Sequence, residues 1–120
     1  MTVKEILQWL KGMVECPVWR ASRQDMSAEK SITIYEQEAP EIAPNASYSG
    51  KHIMAIVHWG TGAAEAEAKA QELYDSIVDF YGVAMGHEAF AIMLESGPAY
   101  IGTLNGQIEY KIEFNIYYAK

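Results

Sequence analysis

Hydrophobic and polar residues alternate most cleanly near the C-terminus. Ile108, Tyr110, Ile112, Phe114, Ile116 and Tyr118 take every second position, and Gln107, Glu109, Lys111, Glu113 and Asn115 fill the gaps. Successive strand side chains face opposite ways, so the pattern predicts a long strand over residues 107–118 with one apolar and one wet, charged face. Asn105-Gly106 stands directly before it. That pair best tolerates the positive φ angles of a type I′ turn, so the strand is read as the second arm of a hairpin, in or near a sheet edge.

Further elements follow from the same kind of spacing. Thr2 and Glu5 have capping-box spacing, and Val3, Ile6, Leu7 and Leu10 recur with helical period. They predict a first helix over residues 3–14, closed by Gly12 and Cys16-Pro17. Residues 31–36 alternate and are β-branched, which predicts a strand. Residues 51–59 form another strand, partly apolar on both faces and therefore covered on both. Ala66, Ala70, Leu73, Ile77 and Phe80 mark the inward stripe of a second helix, with Thr61 as its cap and Gly82 and Gly86 as its end. Residues 88–95 give a third strand through Phe90, Ile92 and Leu94. Gly97-Pro98 interrupts it, and residues 100–104 resume extended structure before the turn. The expected fold class is α+β: two helices packed on a four-stranded, mainly antiparallel sheet in the order α-β-β-α-β-β, as a single domain over residues 1–120.

Between the first two strands runs a polar connection over residues 37–50, with Pro40, Pro44, Asn45 and Gly50 and the carboxylates Glu36, Glu38 and Glu41 in or beside it. It is longer than the usual hairpin loop, and such loops are frequently functional.

Composition narrows the function classes. A formal charge of −7 argues against a nucleic-acid-binding surface, which needs clustered Lys and Arg. The single cysteine, Cys16, excludes an intrachain disulfide. No apolar run approaches the ~20 residues of a membrane span, and the N-terminal stretch lacks a signal-peptide core. A cytoplasmic site of synthesis is therefore expected.

Candidate chemistry is sparse. Trp59-Gly60-Thr61-Gly62 joins a strand to a helix, but Glu65 stands where a dinucleotide fingerprint has its third glycine. His52 and His58 share a strand face six residues apart, roughly 20 Å, too far to hold one ion. His87 has no partner predictable from sequence, and Cys16 has no nucleophile signature around it. Glu109 and Glu113 lie roughly 13 Å apart along their strand, beyond the reach of a carboxylate pair that works on one bond. With Lys111 between them they read as a solvated charge ladder. Tyr117 lies on the same polar face and is a residue type favoured at interfaces. The expectation is a non-enzyme without catalytic, cofactor or metal residues. Its partner or oligomer contacts are expected at Glu38, Glu41, Glu109, Lys111, Glu113 and Tyr117.

Several motifs together carry a family resemblance. They are Cys16-Pro17-Val18-Trp19, Ile34-Tyr35, Tyr48-Ser49, Ile56-Val57-His58-Trp59-Gly60, the run from Glu67 to Tyr74, and the closing Tyr110 to Tyr118. The chain resembles, over nearly its whole length, the small minor capsid proteins of tailed bacteriophages and prophages that are akin to tail terminator proteins. The resemblance implies a structural protein of the virion that forms a ring, typically a hexamer, at the head-proximal end of the tail. Such a ring stops tube growth and docks to the head connector, while DNA passes through without specific binding. The implied partners are further copies of the chain, the tail tube and the head connector; no membrane is implied. The alternatives are a small-ligand-binding or enzymatic bacterial α+β domain, or a phage head-completion or stopper protein.

Overall fold

A computed structural model describes residues 1–21, 30–78, 80, 82–84 and 87–119, with the backbone alone described for 82–84 and 87–91. The elements are α1 (Val3–Lys11), β1 (Val18–Ala21), β2 (Lys30–Gln37), β3 (Tyr48–Trp59), α2 (Ala63–Ile77), β4 (Gly82–Ala84), β5 (His87–Leu104) and β6 (Gln107–Ala119). The class is α+β, with two helices against one face of a sheet.

Helix α1 starts where its capping residues dictate. Thr2 Oγ1 accepts from the Glu5 N–H at 3.1 Å, and Glu5 Oε2 accepts from the Thr2 N–H at 3.4 Å. The helix ends at Lys11, three residues before the expected limit. Val14 nevertheless stays in the core at 1% exposure, because a further turn returns its N–H to the Leu10 carbonyl at 3.1 Å. Helix α2 is capped by Gly62 and not by Thr61, without a side-chain cap bond. It stops at Ile77 because Val78 turns extended, at ψ 134. Phe80, expected inside the helix, follows it and sets its ring edge-on to Trp9 with centroids 5.0 Å apart. That contact ties the end of one helix to the other.

Among the described residues the sheet has six strands in the order β1-β2-β3-β6-β5-β4, where four were expected. Strand β1 runs parallel to β2, and every other pairing is antiparallel. Strands β1 and β4 are four and three residues long, too short to show an alternation that could announce them. The two extended pieces expected on either side of Gly97-Pro98 are one strand, β5. It absorbs the interruption as register shifts between Leu94, Ser96 and Ala99 and between Tyr100 and Gly102. The hairpin turn is as expected, with Asn105 at φ 53 and Gly106 at φ 75.

The closing strand β6 is not at an edge. It pairs with β3 on one side and with β5 on the other. Its apolar face is covered by the helix layer, with α2 packed on it, and Ile112, Phe114 and Ile116 are fully buried. Helix α1 lies on β1 and β2, and α2 on β3, β5 and β6. One core joins Ile6, Leu10, Ile32, Ile34, Leu73 and Phe114. No helix among the described residues is long and apolar enough to cross a membrane.

Candidate functional site

The sheet face turned away from the helices carries most of the polar side chains on β2, β3 and β6. Pairing places them in rows: Ser31, His58 and Glu109; then Thr33, Ile56 and Lys111; then Tyr35, Met54 and Glu113; then Gln37, His52 and Asn115. Gly50 and Tyr117 close the series.

The face was expected to be wet along its length, and at the Glu109 end it is not. His58 is 1% exposed and Glu109 8%. The His58 Nδ1 lies 3.0 Å from Glu109 Oε2. A carboxylate only accepts, so with Glu109 in that form the bond runs from the Nδ1–H of the ring to Oε2. Ser31 and Thr33 are buried beside them, and among the described residues their hydroxyl oxygens have no hydrogen-bond partner. Burial, and secondly the Glu109 charge, push the Tyr35 phenol above its ordinary pKa. A carboxylate inside a closed polar layer is a structural group, not one offered to a partner. Glu109 is therefore withdrawn from the contact surface expected on sequence.

At mid-face Lys111 and Glu113 are half-buried, with Nζ and Oε1 3.8 Å apart, and Glu113 lies 3.9 Å from His52 Nε2. Of the solvated ladder expected from Glu109, Lys111 and Glu113, only the last two stand here, and they are half-buried.

The far end is covered by residues 38–47, the connection between β2 and β3. Glu38 and Glu41 are exposed on it, whereas Pro40 and Ile42 fold back over Gly50 and Tyr117. A Cβ on Gly50 would stand 2.9 Å from Pro40 Cγ, 3.0 Å from Ile42 Cδ1 and 3.2 Å from the Tyr117 ring. Glycine is thus what lets this segment lie flat. We expect Gly50→Val to lift residues 38–47 and cost ~1–3 kcal/mol through overpacking. Faster limited proteolysis within the segment, with a native-like circular dichroism spectrum, is the expected readout. Unchanged cleavage would show that the segment is not seated on Gly50.

The structure thus gathers Glu38, Glu41 and Tyr117 at one end of the face. Glu109 is eight residues along β6 from Tyr117, about 27 Å away. The six expected contact residues do not form one patch. Tyr117 is partly covered, with its ring edge-on to Tyr48 at 6.1 Å.

Two features of the helix side bear on catalysis. Cys16 Sγ donates to the Val18 carbonyl at 3.1 Å, and burial pushes its thiol pKa upward, away from a reactive thiolate. It shares a cavity with Trp19, Trp59 and Lys69, while His58 lies on the opposite face, so the two do not meet. Glu65 accepts from Lys30 Nζ at 2.5 Å and from Trp59 Nε1 at 3.3 Å. Lys30 holds the Glu65 carboxyl below its ordinary pKa. The pair's contribution is accordingly present above the usual carboxylate range and lost as pH falls through the lowered value. Glu65 also occupies the first turn of α2, where a dinucleotide phosphate would have to sit. The His87 side chain lies outside the described residues. Among the described residues no group of three or more His, Cys, Asp or Glu side chains is placed to hold a metal ion.

The outer edge of β5 was not visible in the sequence. Beyond its pairing with β4 at Gly82–Ala84, no strand among the described residues covers it. Met93, Tyr100 and Ile101 stand along this strand at 59%, 61% and 43% exposure, the large exposed hydrophobics of the described chain.

No family model matches the chain, and no curated protein matches it. Fifteen chains of solved structures do. One of them aligns over 98% of this chain and 89% of its own length, with a TM-score of 0.56 at 17% identity. At that identity the likeness concerns the fold alone.

Proposed function

We propose that this chain is a structural protein of a tailed bacteriophage or prophage. It acts at the head–tail junction of the virion, where copies form a ring that ends the tail tube and docks to the head connector. The sequence resemblance suggests this reading, and the open β5 edge is the observation that carries it. A strand edge that no strand among the described residues covers, with Met93, Tyr100 and Ile101 exposed along the same strand, is a surface for pairing with another chain. Pro98 and the register shifts around it break the edge into short stretches, which suits one defined partner better than indiscriminate strand addition. A heterologous contact of this kind closes into a ring when its rotation permits. The acidic balance suits a ring around a DNA path, since carboxylates do not hold phosphate.

The test is Met93→Lys with Ile101→Lys. Both positions are exposed, so the isolated chain should stay folded, with each change worth within about 0.5 kcal/mol. In particles from the phage or prophage that encodes the chain, infectious titre should fall by about tenfold or more, as for loss of an interface anchor. Electron microscopy should show tails of irregular length or heads without tails. Normal joined particles from the double variant would remove the assignment. Portal, capsid and tail-tube genes beside this one would set it apart from a bacterial ligand-binding domain or enzyme. Failure at the head with tails of normal length would indicate a stopper instead.

A further inference from the structure

Strands β1 and β5 lie towards opposite ends of the sheet. Among the described residues, the far side of β1 meets no strand. Beyond Ala89, where the pairing with β4 stops, the outer side of β5 meets none either. The pairings fix the directions of the two strands. Strand β1 is parallel to β2, and three antiparallel steps lead from β2 through β3 and β6 to β5. Strand β5 therefore runs opposite to β1. A second copy set beside this one in the same orientation brings its β1 against β5 in the antiparallel sense, with both helix layers on one side of a continuous sheet. The charges match as well. Between Ile92 and Leu104 the one charged residue is Glu95. Its Oε1 accepts from Asn115 Nδ2 at 2.6 Å, which sets it on the polar face. The one charged residue of β1 is Arg20, and its register with Thr33 sets it on the same face.

We infer that the open part of β5 in one copy pairs with β1 of the next copy, with Arg20 meeting Glu95 across the contact. The inference rests on the reading that copies of the chain contact one another, and it names the surface that receives the β5 edge. Charge and length favour β1 over a second β5. Two β5 strands would give Glu95 no counter-charge, because no Lys or Arg stands between Ile92 and Leu104. Arg20 supplies one, and a guanidinium with five N–H donors serves a neighbour's carboxylate in addition to groups of its own chain. Glu95 in turn keeps acceptor sites beyond the one that Asn115 occupies. Met93 is exposed and in register with Asn115, so it lies on the same face and offers its side chain to the methylene stem of Arg20. Pro98 has no N–H to give, and register shifts break the ladder around it, so β5 suits a short partner strand. Strand β1 is four residues long.

The test uses the isolated full chain and no phage, so it succeeds or fails separately from the head–tail reading. Backbone hydrogen exchange is measured by mass spectrometry on micromolar and on millimolar chain. Exchange in the peptides that cover β1 and β5 should slow together at the higher concentration, while those from β3 and β6 stay unchanged. Slowing of β5 alone would mean that the strand pairs with its own copy, and it overturns the inference. So does the absence of any concentration dependence in the two strands. Glu95→Gln and Arg20→Gln, each checked for a native circular dichroism spectrum, should both weaken self-association by about tenfold in sedimentation, through the lost charge-assisted hydrogen bond. The double variant should be no weaker than either single one, because both remove the same contact. Losses that add, or singles that associate like the parent chain, overturn the Arg20–Glu95 pairing.

Discussion

Phe114→Ala is expected to destabilise the chain by ~3–5 kcal/mol, the usual cost of emptying a core site of its aromatic ring. Phe114 is fully buried and heads the large side chains with no exposed surface. It sits at mid-strand on β6, opposite Ile53 of β3 and Leu94 of β5, beneath the helix layer. These neighbours belong to three paired strands held by backbone bonds, so the hole cannot collapse without breaking register. A domain of this size has only about 5–15 kcal/mol of total stability. The midpoint of thermal unfolding should therefore fall by roughly 10–20 °C. A shift below about 5 °C, measured by calorimetry, would mean that β6 does not carry the centre of the core.

Glu109→Lys should follow at ~2–4 kcal/mol, the range for breaking a buried hydrogen-bonded pair and leaving one member behind. The substitution removes the acceptor of the His58 Nδ1–H and puts an ammonium group into a site 8% exposed. Glu113→Lys is the control. Glu113 has a quarter of its side chain exposed and contacts Lys111 only at 3.8 Å, so its reversal should cost about 0–1 kcal/mol. Urea midpoints that fall alike for the two variants would show that Glu109 is no more buried than its neighbour. The contrast also governs how the polar face is tested for assembly. Reversing both glutamates together would confuse an unfolded chain with a lost contact, whereas Glu113→Lys alone keeps the two apart.

The elements legible in the sequence are those in which one period repeats long enough to be seen. The alternation from Ile108 to Tyr118 became β6, Asn105-Gly106 became its turn, and Thr2 with Glu5 began α1, because a side-chain period, a turn pair and a capping pair are each written within a few residues. Periodicity sorts side chains onto two faces but says nothing of which strand lies alongside. The expected edge position of β6 failed for that reason: its neighbours, β3 and β5, are chosen by where the apolar faces of all the strands are buried together. Glu109 failed with it. In sequence it is one charge in a regular ladder, and nothing in that spacing shows that it meets His58, a residue 51 positions away, across the β3–β6 pairing. The edge of β5 likewise comes from long-range packing. Local spacing thus set the helices, the strands β2, β3 and β6 and the turn, through backbone preferences and the two side-chain periods. Strand order, the inward charge and the open edge were settled by the fold as a whole, because burial depends on neighbours that no local pattern names.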